Sequence, residues 1–353
     1  MSNHCYCVTK HGAPLEHMDN EVPEPKGDEV LVRMTSAGVC HSDNHLWEGK
    51  YDHGGGQQMT LSDRGIALPL TIGHEITGEV VKAGPDASGV SEGMNCVVYP
   101  WLGCGECPTC LRDEENYCPK MARSLGVFLP GGYAQYVLVP RSKYCVEIGD
   151  FDPSVIAPLA CSGVTTYSAL KKFGDKLKQE PVVILGAGGL GHMALAVLKA
   201  LGGKGAIFVD LDASKREAAV KAGALAAIDG GAADAAQQIK DATGGGAHMV
   251  LDLVGAGSTI QLGVDGGTKG VQVVVVGLYG GEITMPTVYF PLRAMAVRGS
   301  YVGNLKELRE LVKLVQDGKL NPVPVTQRKL EEANSALMDL KDGKVIGRVV
   351  LVP

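Results

Sequence analysis

A run of four apolar residues, Val182–Leu185, leads into Gly186-Ala-Gly188-Gly189-Leu190-Gly191, and this segment constrains the fold more than any other. The run has the length and β-branched content of a buried strand. The glycines that follow have the spacing G-x-G-x-x-G. The first makes a tight turn, the second lets backbone approach a pyrophosphate, and the third lets a helix pack closely on the strand. Backbone N–H groups at the helix start, Gly189 and Leu190 among them, then face the phosphates. Alone, such a run is also compatible with a simple turn. The context decides for a dinucleotide site, because a second strand, 206–209, ends at Asp210 about twenty residues further on. A carboxylate there accepts hydrogen bonds from a ribose 2′-hydroxyl and repels a 2′-phosphate, which favours NAD over NADP. Lys215 lies near enough to soften that preference, whereas Arg216 reads as part of a solvated helix face.

From about Pro181 strand-like runs alternate with helical ones: helices over 190–201 and 215–222, strands over 249–253 and 271–276. That alternation predicts an α/β fold, a doubly wound parallel sheet covered on both faces. The preceding residues read as short strands and turns, with β-like runs at 29–34 and 78–81. A chain of 353 residues is long for one core. We therefore expect a β-rich domain over 1–154 and the α/β domain over 155–300. The remainder, 301–353, holds an amphipathic helix over 306–316 and an alternating tail over 345–352. It is too short to fold alone and is expected to complete the first domain, leaving a cleft of the kind that collects ligands.

Hydrophobic residues make up 45% and charged residues 20%, as in ordinary globular proteins. The net charge of -6 gives no basic footprint for nucleic acid or an anionic membrane. No apolar run has the length of a membrane span. Residues 1–10 lack the apolar core of a signal peptide, so a cytoplasmic location is expected.

Ten cysteines in such a chain point to metal or chemistry rather than to disulfides. Cys104, Cys107, Cys110 and Cys118 have the spacing C-x2-C-x2-C-x7-C. Four thiolates close a tetrahedral zinc site with no open position, so its role is to hold a loop. An iron–sulfur cluster is the rival ligand. Cys40, His74 and Cys161 each stand among glycines or small residues. Taken singly, a buried cysteine is a small hydrophobe and a lone histidine a hydrogen-bonded structural residue. We assign no function to Cys5, Cys7, Cys96 or Cys145.

Over nearly its whole length the chain resembles the zinc-containing medium-chain alcohol dehydrogenases, most closely the yeast and bacterial branch. The resemblance is carried by Gly38-Val-Cys-His-Ser-Asp43, Gly73-His-Glu75, the Cys104–Cys118 cluster, Cys161-Ser-Gly-Val-Thr165 and the Gly186–Gly191 fingerprint, with Gly299-Ser-Tyr-Val-Gly303 and Gly347-Arg348. It implies a GroES-like catalytic domain beside the Rossmann domain, and two Zn2+ per subunit. Cys40, His74 and Cys161 are then the ligands of the catalytic zinc, two thiolates and one imidazole with a fourth position open. Glu75 is implied as a transient alternative ligand, and Asp43 as the acceptor that orients His74, although an aspartate there also reads as a turn or cap residue. The resemblance further implies a proton relay from Ser42, through a cofactor ribose hydroxyl, to His45 near solvent, where a group titrating close to neutrality is useful. His41 and Arg348 are implied at the cofactor pyrophosphate, and Thr165, Val276 and Leu278 elsewhere on NAD.

Trp101 matches a position that lines the substrate cavity in relatives, and Trp47 and Tyr51 are candidates for the same wall, with core packing an equal reading for Trp47. The chain departs from the yeast type between Trp47 and His74, where it is longer. Gly54 to Gly56 predict a mobile loop over 51–68 at the pocket mouth, shaping substrate choice toward alcohols bulkier than ethanol. A polyol dehydrogenase ranks lower, because such relatives carry a carboxylate where this chain has Cys161. Glutathione-dependent formaldehyde oxidation stays open, although the longer loop fits it poorly. A zinc-free reductase predicts loss of the three ligands, and a structural protein that kept the fold predicts erosion of ligands and relay. By analogy with relatives, the apolar runs 271–276 and 284–289 are expected near an interface of a homodimer or homotetramer.

Overall fold

The computed structural model describes residues 2–120 and 123–353. Six parallel strands form the sheet of the α/β half, in the spatial order Ala226–Asp229, Ala206–Asp210, Val182–Leu185, Ala247–Asp252, Gly267–Val275, Ala296–Gly299. Numbered along the chain, that is 3-2-1-4-5-6, the doubly wound order whose strand direction of travel reverses between the first and fourth strands. Gly186 leaves the first strand at this switch point, and its turn requires a glycine because φ is +102°. The helix Gly189–Ala200 follows. A Cβ on Gly191 would lie 2.3 Å from the Gly186 carbonyl oxygen, so the third glycine of the fingerprint is needed for helix and turn to approach.

The other half is a seven-stranded sheet built around Val30–Gly38 and Glu75–Ala83, paired antiparallel. The chain returns to it at the end. Arg348–Val352 pairs antiparallel with Val30–Gly38 and parallel with Val325–Lys329. The strands Ser2–Val8 and Glu16–Glu21 form a separate sheet with Leu70–Thr71, just before His74. One apolar cluster runs from Val97 through Val164 to Leu195 and Phe208. It joins the two halves through the helix Ser162–Lys171, which packs on Gly189–Ala200.

The longer segment after Trp47 differs from the expected mobile loop. It folds as a two-stranded hairpin, Lys50–Gly54 with Gln57–Thr60, and the three glycines supply the positive φ of its turn. The hairpin packs against the α/β half, since a Cβ on Gly280 would lie 2.7 Å from Asp52. Residues 284–288 are irregular and lead into the short helix Tyr289–Arg293, which precedes the edge strand Ala296–Gly299. Among the described residues no helix is long and apolar enough to cross a membrane.

Candidate functional site

Cys40, His74 and Cys161 come from three separate elements, and their ligand atoms all lie within 4.8 Å of one another. Cys40 is the N-cap of the helix His41–Glu48, and Cys161 is the N-cap of Ser162–Lys171. A helix N-terminus favours a thiolate over a thiol, so each helix dipole assists ionisation of the sulfur at its start. The Sγ atoms are 4.0 Å apart. Tetrahedral zinc with bonds of about 2.3 Å to sulfur needs sulfurs about 3.8 Å apart. His74 is fully buried against Trp101, with ring centroids 5.3 Å apart. Its Nε2 has no protein partner, a costly state for a buried nitrogen that a metal ion removes. The donor set therefore fits a zinc ion with one position left over.

Asp43 organises this set. It is fully buried; Oδ2 accepts from the Cys40 N–H at 2.9 Å and from the Tyr133 hydroxyl at 3.3 Å. Oδ1 accepts from the Gly73 N–H at 3.3 Å and lies 3.2 Å from His74 Nδ1. The same carboxylate thus caps the helix that begins at Cys40 and faces the imidazole of His74. Glu75, also fully buried, pairs with Arg348 and accepts from the Ser162 N–H at 3.3 Å.

The electrostatics follow from this crowding. The hydrogen bond shared by the two sulfurs holds Cys40 well below the ordinary thiol range and pushes Cys161 well above it. Burial opposes a charge on His74, but the Asp43 carboxylate and Cys40 outweigh it and raise the imidazole. Burial pushes Glu75 up to about 7 against the pull of Arg348. Burial lowers His45.

Ser42 Oγ lies 3.9 Å from Cys40 Sγ, and His45 sits one helical turn on, its ring 4.9 Å from that of Tyr51. Trp101 donates to the Ala160 carbonyl at 3.0 Å and meets Tyr301 at 6.1 Å between centroids, so the indole is fixed between His74 and Tyr301. For Trp47, where cavity wall and core packing are equal readings from sequence, the contacts are those of packing. Its Nε1 donates to the Ala13 carbonyl at 2.6 Å and Lys341 lies 4.5 Å over its ring, which commits it to packing against the terminal segments instead of the cleft.

On the dinucleotide side, Asp210 Oδ2 accepts from the Ala187 N–H at 2.7 Å and Oδ1 from the Asp212 N–H at 2.9 Å, so the acid also holds the glycine turn. Arg216 is not on a solvated face; it donates to the carbonyls of Asp210 and Leu211 at 2.9 and 2.8 Å and pairs with Asp229. Lys215 is half-buried in the same helix, Ala213–Lys221. Gly189 touches Gly347 and Arg348, since a Cβ there would lie 2.5 Å from the Gly347 oxygen. Thr165 Oγ1 is buried without a partner. Val276 packs on the shared core, Leu278 is exposed beyond it, and His41 is exposed at the helix start.

Cys104, Cys107, Cys110 and Cys118 gather in a lobe of two short 3-10 turns. Sulfur separations of 3.5 to 3.9 Å match a tetrahedral edge. The Cys104, Cys107 and Cys110 N–H groups each point at a cluster sulfur, at 3.3 to 3.5 Å. Motif spacing did not single out Glu115. This buried acid inside the lobe takes hydrogen bonds from Lys143 and the Tyr144 hydroxyl and ties the lobe to the sheet. An acid between Cys110 and Cys118 is its sole trace in the sequence. Arg64, stacked over Tyr51, is likewise new, and Tyr301 of the Gly299–Gly303 motif is brought against Trp101.

The sequence model of the alcohol dehydrogenase GroES-like domain matches residues 26–150, and that of the zinc-binding dehydrogenase domain matches 189–317. The NAD-dependent alcohol dehydrogenase of Sulfurisphaera tokodaii is 38% identical, covering 97% of either chain. D-arabinose 1-dehydrogenase (NADP(+)) of Saccharolobus solfataricus is 32% identical over 98% of this chain and 96% of that one. The crystal structure of the alcohol dehydrogenase from Aeropyrum pernix superposes with a TM-score of 0.89 at 32% identity, covering 99% of this chain and 100% of that one. Fold, donor sets and these likenesses agree, and the chain belongs to the zinc-containing medium-chain alcohol dehydrogenase family.

Proposed function

We propose that this alcohol dehydrogenase interconverts a primary or secondary alcohol bulkier than ethanol and its aldehyde or ketone, using NAD(H). The observation that carries the reading is the convergence of Cys40, Cys161 and the partnerless His74 Nε2 at one point of the cleft, beside Ser42. In this reading those three hold the catalytic zinc, and Cys104, Cys107, Cys110 and Cys118 hold the structural one. Zinc supplies Lewis acidity that eases loss of the alcohol proton, and NAD supplies the hydride acceptor. The chain's residues do the rest. Ser42 Oγ holds the departing proton, and His45, i+3 on the same helix face, passes it toward solvent. Asp43 keeps Cys40 and His74 in register. Trp101 and Tyr51 bound the space for the substrate's carbon skeleton. Asp210 accepts from the adenosine ribose, while Arg348, Thr165, His41, Val276 and Leu278 line the remaining cofactor path, and Lys215 softens the choice of NAD over NADP.

Cys161 favours this reading over a polyol dehydrogenase, because a thiolate stands where such relatives carry a carboxylate. The subunit also assembles as a homodimer or homotetramer in this proposal, near the run 284–289, where Val288 and Tyr289 are exposed, whereas Val271, Val273 and Val274 of the run 271–276 are buried in the sheet. The test follows near-ultraviolet absorbance of reduced nicotinamide with a panel of primary, secondary, cyclic and aromatic alcohols, with and without chelation. NAD reduction that stops on zinc removal is expected. Activity that survives complete loss of zinc would move the protein to the zinc-free reductases.

A further inference from the structure

The hairpin segment that departs from the yeast pattern ends in a turn that carries Arg64. Its guanidinium carbon lies 5.6 Å from the Tyr51 ring centroid and 5.8 Å from that of Phe128. Tyr51 packs on His45, and Tyr301 packs on Trp101, which itself packs on His74. Arg64 is therefore built into the aromatic wall that leads to the three zinc donors. Burial raises both phenols, Tyr51 and Tyr301, and the Arg64 charge opposes that rise in each.

Arg64 has no carboxylate within 4.0 Å among the described residues, whereas most of the other arginines pair with an acid or a carbonyl. The acid beside it in sequence, Asp63, is engaged elsewhere; its Oδ2 takes the Thr60 N–H at 3.0 Å and the Thr60 hydroxyl at 2.6 Å. The half-buried guanidinium shares a hydrogen bond with the Tyr51 hydroxyl, and its five N–H donors exceed what that one contact uses. Those donors match a carboxylate in a planar, bidentate fashion that a lysine does not reproduce.

We propose that Arg64 forms a carboxylate-binding subsite of the substrate cleft, so that the favoured substrates are alcohols and aldehydes that bear a carboxylate across an apolar spacer from the reacting carbon. This rests on the dehydrogenase reading above and narrows its substrate class. The apolar spacer follows from the wall itself, where Tyr51, Phe128, Trp101 and Tyr301 offer ring surface between the charge and the donors.

The test uses the zinc-loaded protein with NAD and a series of ω-hydroxy carboxylates of increasing length, each beside the primary alcohol of the same length. The readout is the ratio of kcat/KM, acid over neutral alcohol, in the native protein, Arg64→Gln and Arg64→Glu. A ratio above one by about tenfold is expected at the best spacer length, the scale of one charge-assisted hydrogen bond. It should fall toward one in Arg64→Gln, drop below one in Arg64→Glu, and shrink with added salt. A purely structural role for the stacked guanidinium would lower both rates together and leave the ratio unmoved. A ratio below one at every length in the native protein, or one that Arg64→Glu leaves unchanged while neutral alcohols are oxidised, would overturn the subsite alone. Failure to oxidise any alcohol, charged or neutral, would overturn the dehydrogenase reading and the subsite with it.

Discussion

Replacing Asp43 with asparagine tests whether the zinc donors are held by one buried carboxylate. The side chain keeps its shape, so the change is almost purely one of charge and donor count. Each carboxylate oxygen now serves two groups: Cys40 N–H and the Tyr133 hydroxyl on Oδ2, Gly73 N–H and His74 Nδ1 on Oδ1. Asparagine keeps one oxygen and turns an NH2 toward the other pair. The less costly orientation puts the NH2 on the Oδ2 side, where the Tyr133 hydroxyl rotates to accept, but the Cys40 N–H is left facing a donor. One charge-assisted hydrogen bond is lost outright and the others weaken, a cost of about 2–3 kcal/mol. That free energy is taken from the geometry of Cys40 and His74, so affinity at the three-ligand site falls roughly 10–100-fold. The assay is release of zinc to a chromophoric chelator from the fully loaded protein. One equivalent per chain should leave far more readily in the variant, while the four-cysteine equivalent is retained. Equal retention of both equivalents in Asp43→Asn and the native protein would refute the argument that Asp43 orients the donors.

Three further outcomes follow from particular contacts. Asp210→Ser removes both the repulsion of a 2′-phosphate and the hydrogen bond to the Ala187 N–H, so the ratio of kcat/KM for NAD over NADP should fall by about tenfold or more, with a rise in the KM for NAD. Gly191→Ala forces a methyl to 2.3 Å from the Gly186 oxygen; a loss of about 1–3 kcal/mol in thermal unfolding is expected, with weaker NADH binding by fluorescence. Cys107→Ser opens the closed four-thiolate set, so elemental analysis should find one zinc per chain in place of two, and the chain should inactivate faster on heating while the three-ligand site stays filled.

The parts of the fold that the sequence made legible are those whose signal is local. Val182–Leu185, the glycine turn and the strand ending at Asp210 read directly, because strand, turn and helix each impose their own residue types within a few positions. The four cysteines of the lobe also read locally, since fifteen residues contain the whole donor set. The three-ligand site did not. Cys40, His74 and Cys161 lie far apart in the chain, and physical reading of each alone leaves a buried thiol or a structural histidine; only the resemblance joined them. Some readings depart from the structure for a physical reason. Glycines at 54–56 read as looseness, but the same freedom supplies the positive φ of a tight hairpin turn. Trp47 read equally as cavity wall or core packing, because sequence does not say which side of the helix His41–Glu48 it takes; the helix carries it to the side that meets Ala13 and Lys341. Glu115 and Arg64 had no spacing signal, because their partners come from other elements of the fold.

Arg348 shows how the two halves are linked at the point where chemistry is proposed. It opens the last strand, which pairs with Val30–Gly38, the strand that leads to Cys40. Its guanidinium pairs with Glu75, the neighbour of His74, and its aliphatic stem lies against Gly189, where the dinucleotide helix begins. A Cβ at Gly189 would come within 2.9 Å of that stem, so the fingerprint's small residues serve the tail as well as a phosphate. With Glu75 fully buried and Arg348 nearly so, removing one partner alone leaves an unpaired charge, a cost of about 3–5 kcal/mol. Replacing both by apolar residues of similar volume removes that penalty. The argument therefore separates stability from linkage: an Arg348→Met, Glu75→Leu double variant should regain much of the stability lost in Arg348→Met, yet bind NADH more weakly than the native protein. If the double variant regained both, the pair would be serving the core alone, and the tail's closeness to Gly189 would carry no consequence for the cofactor.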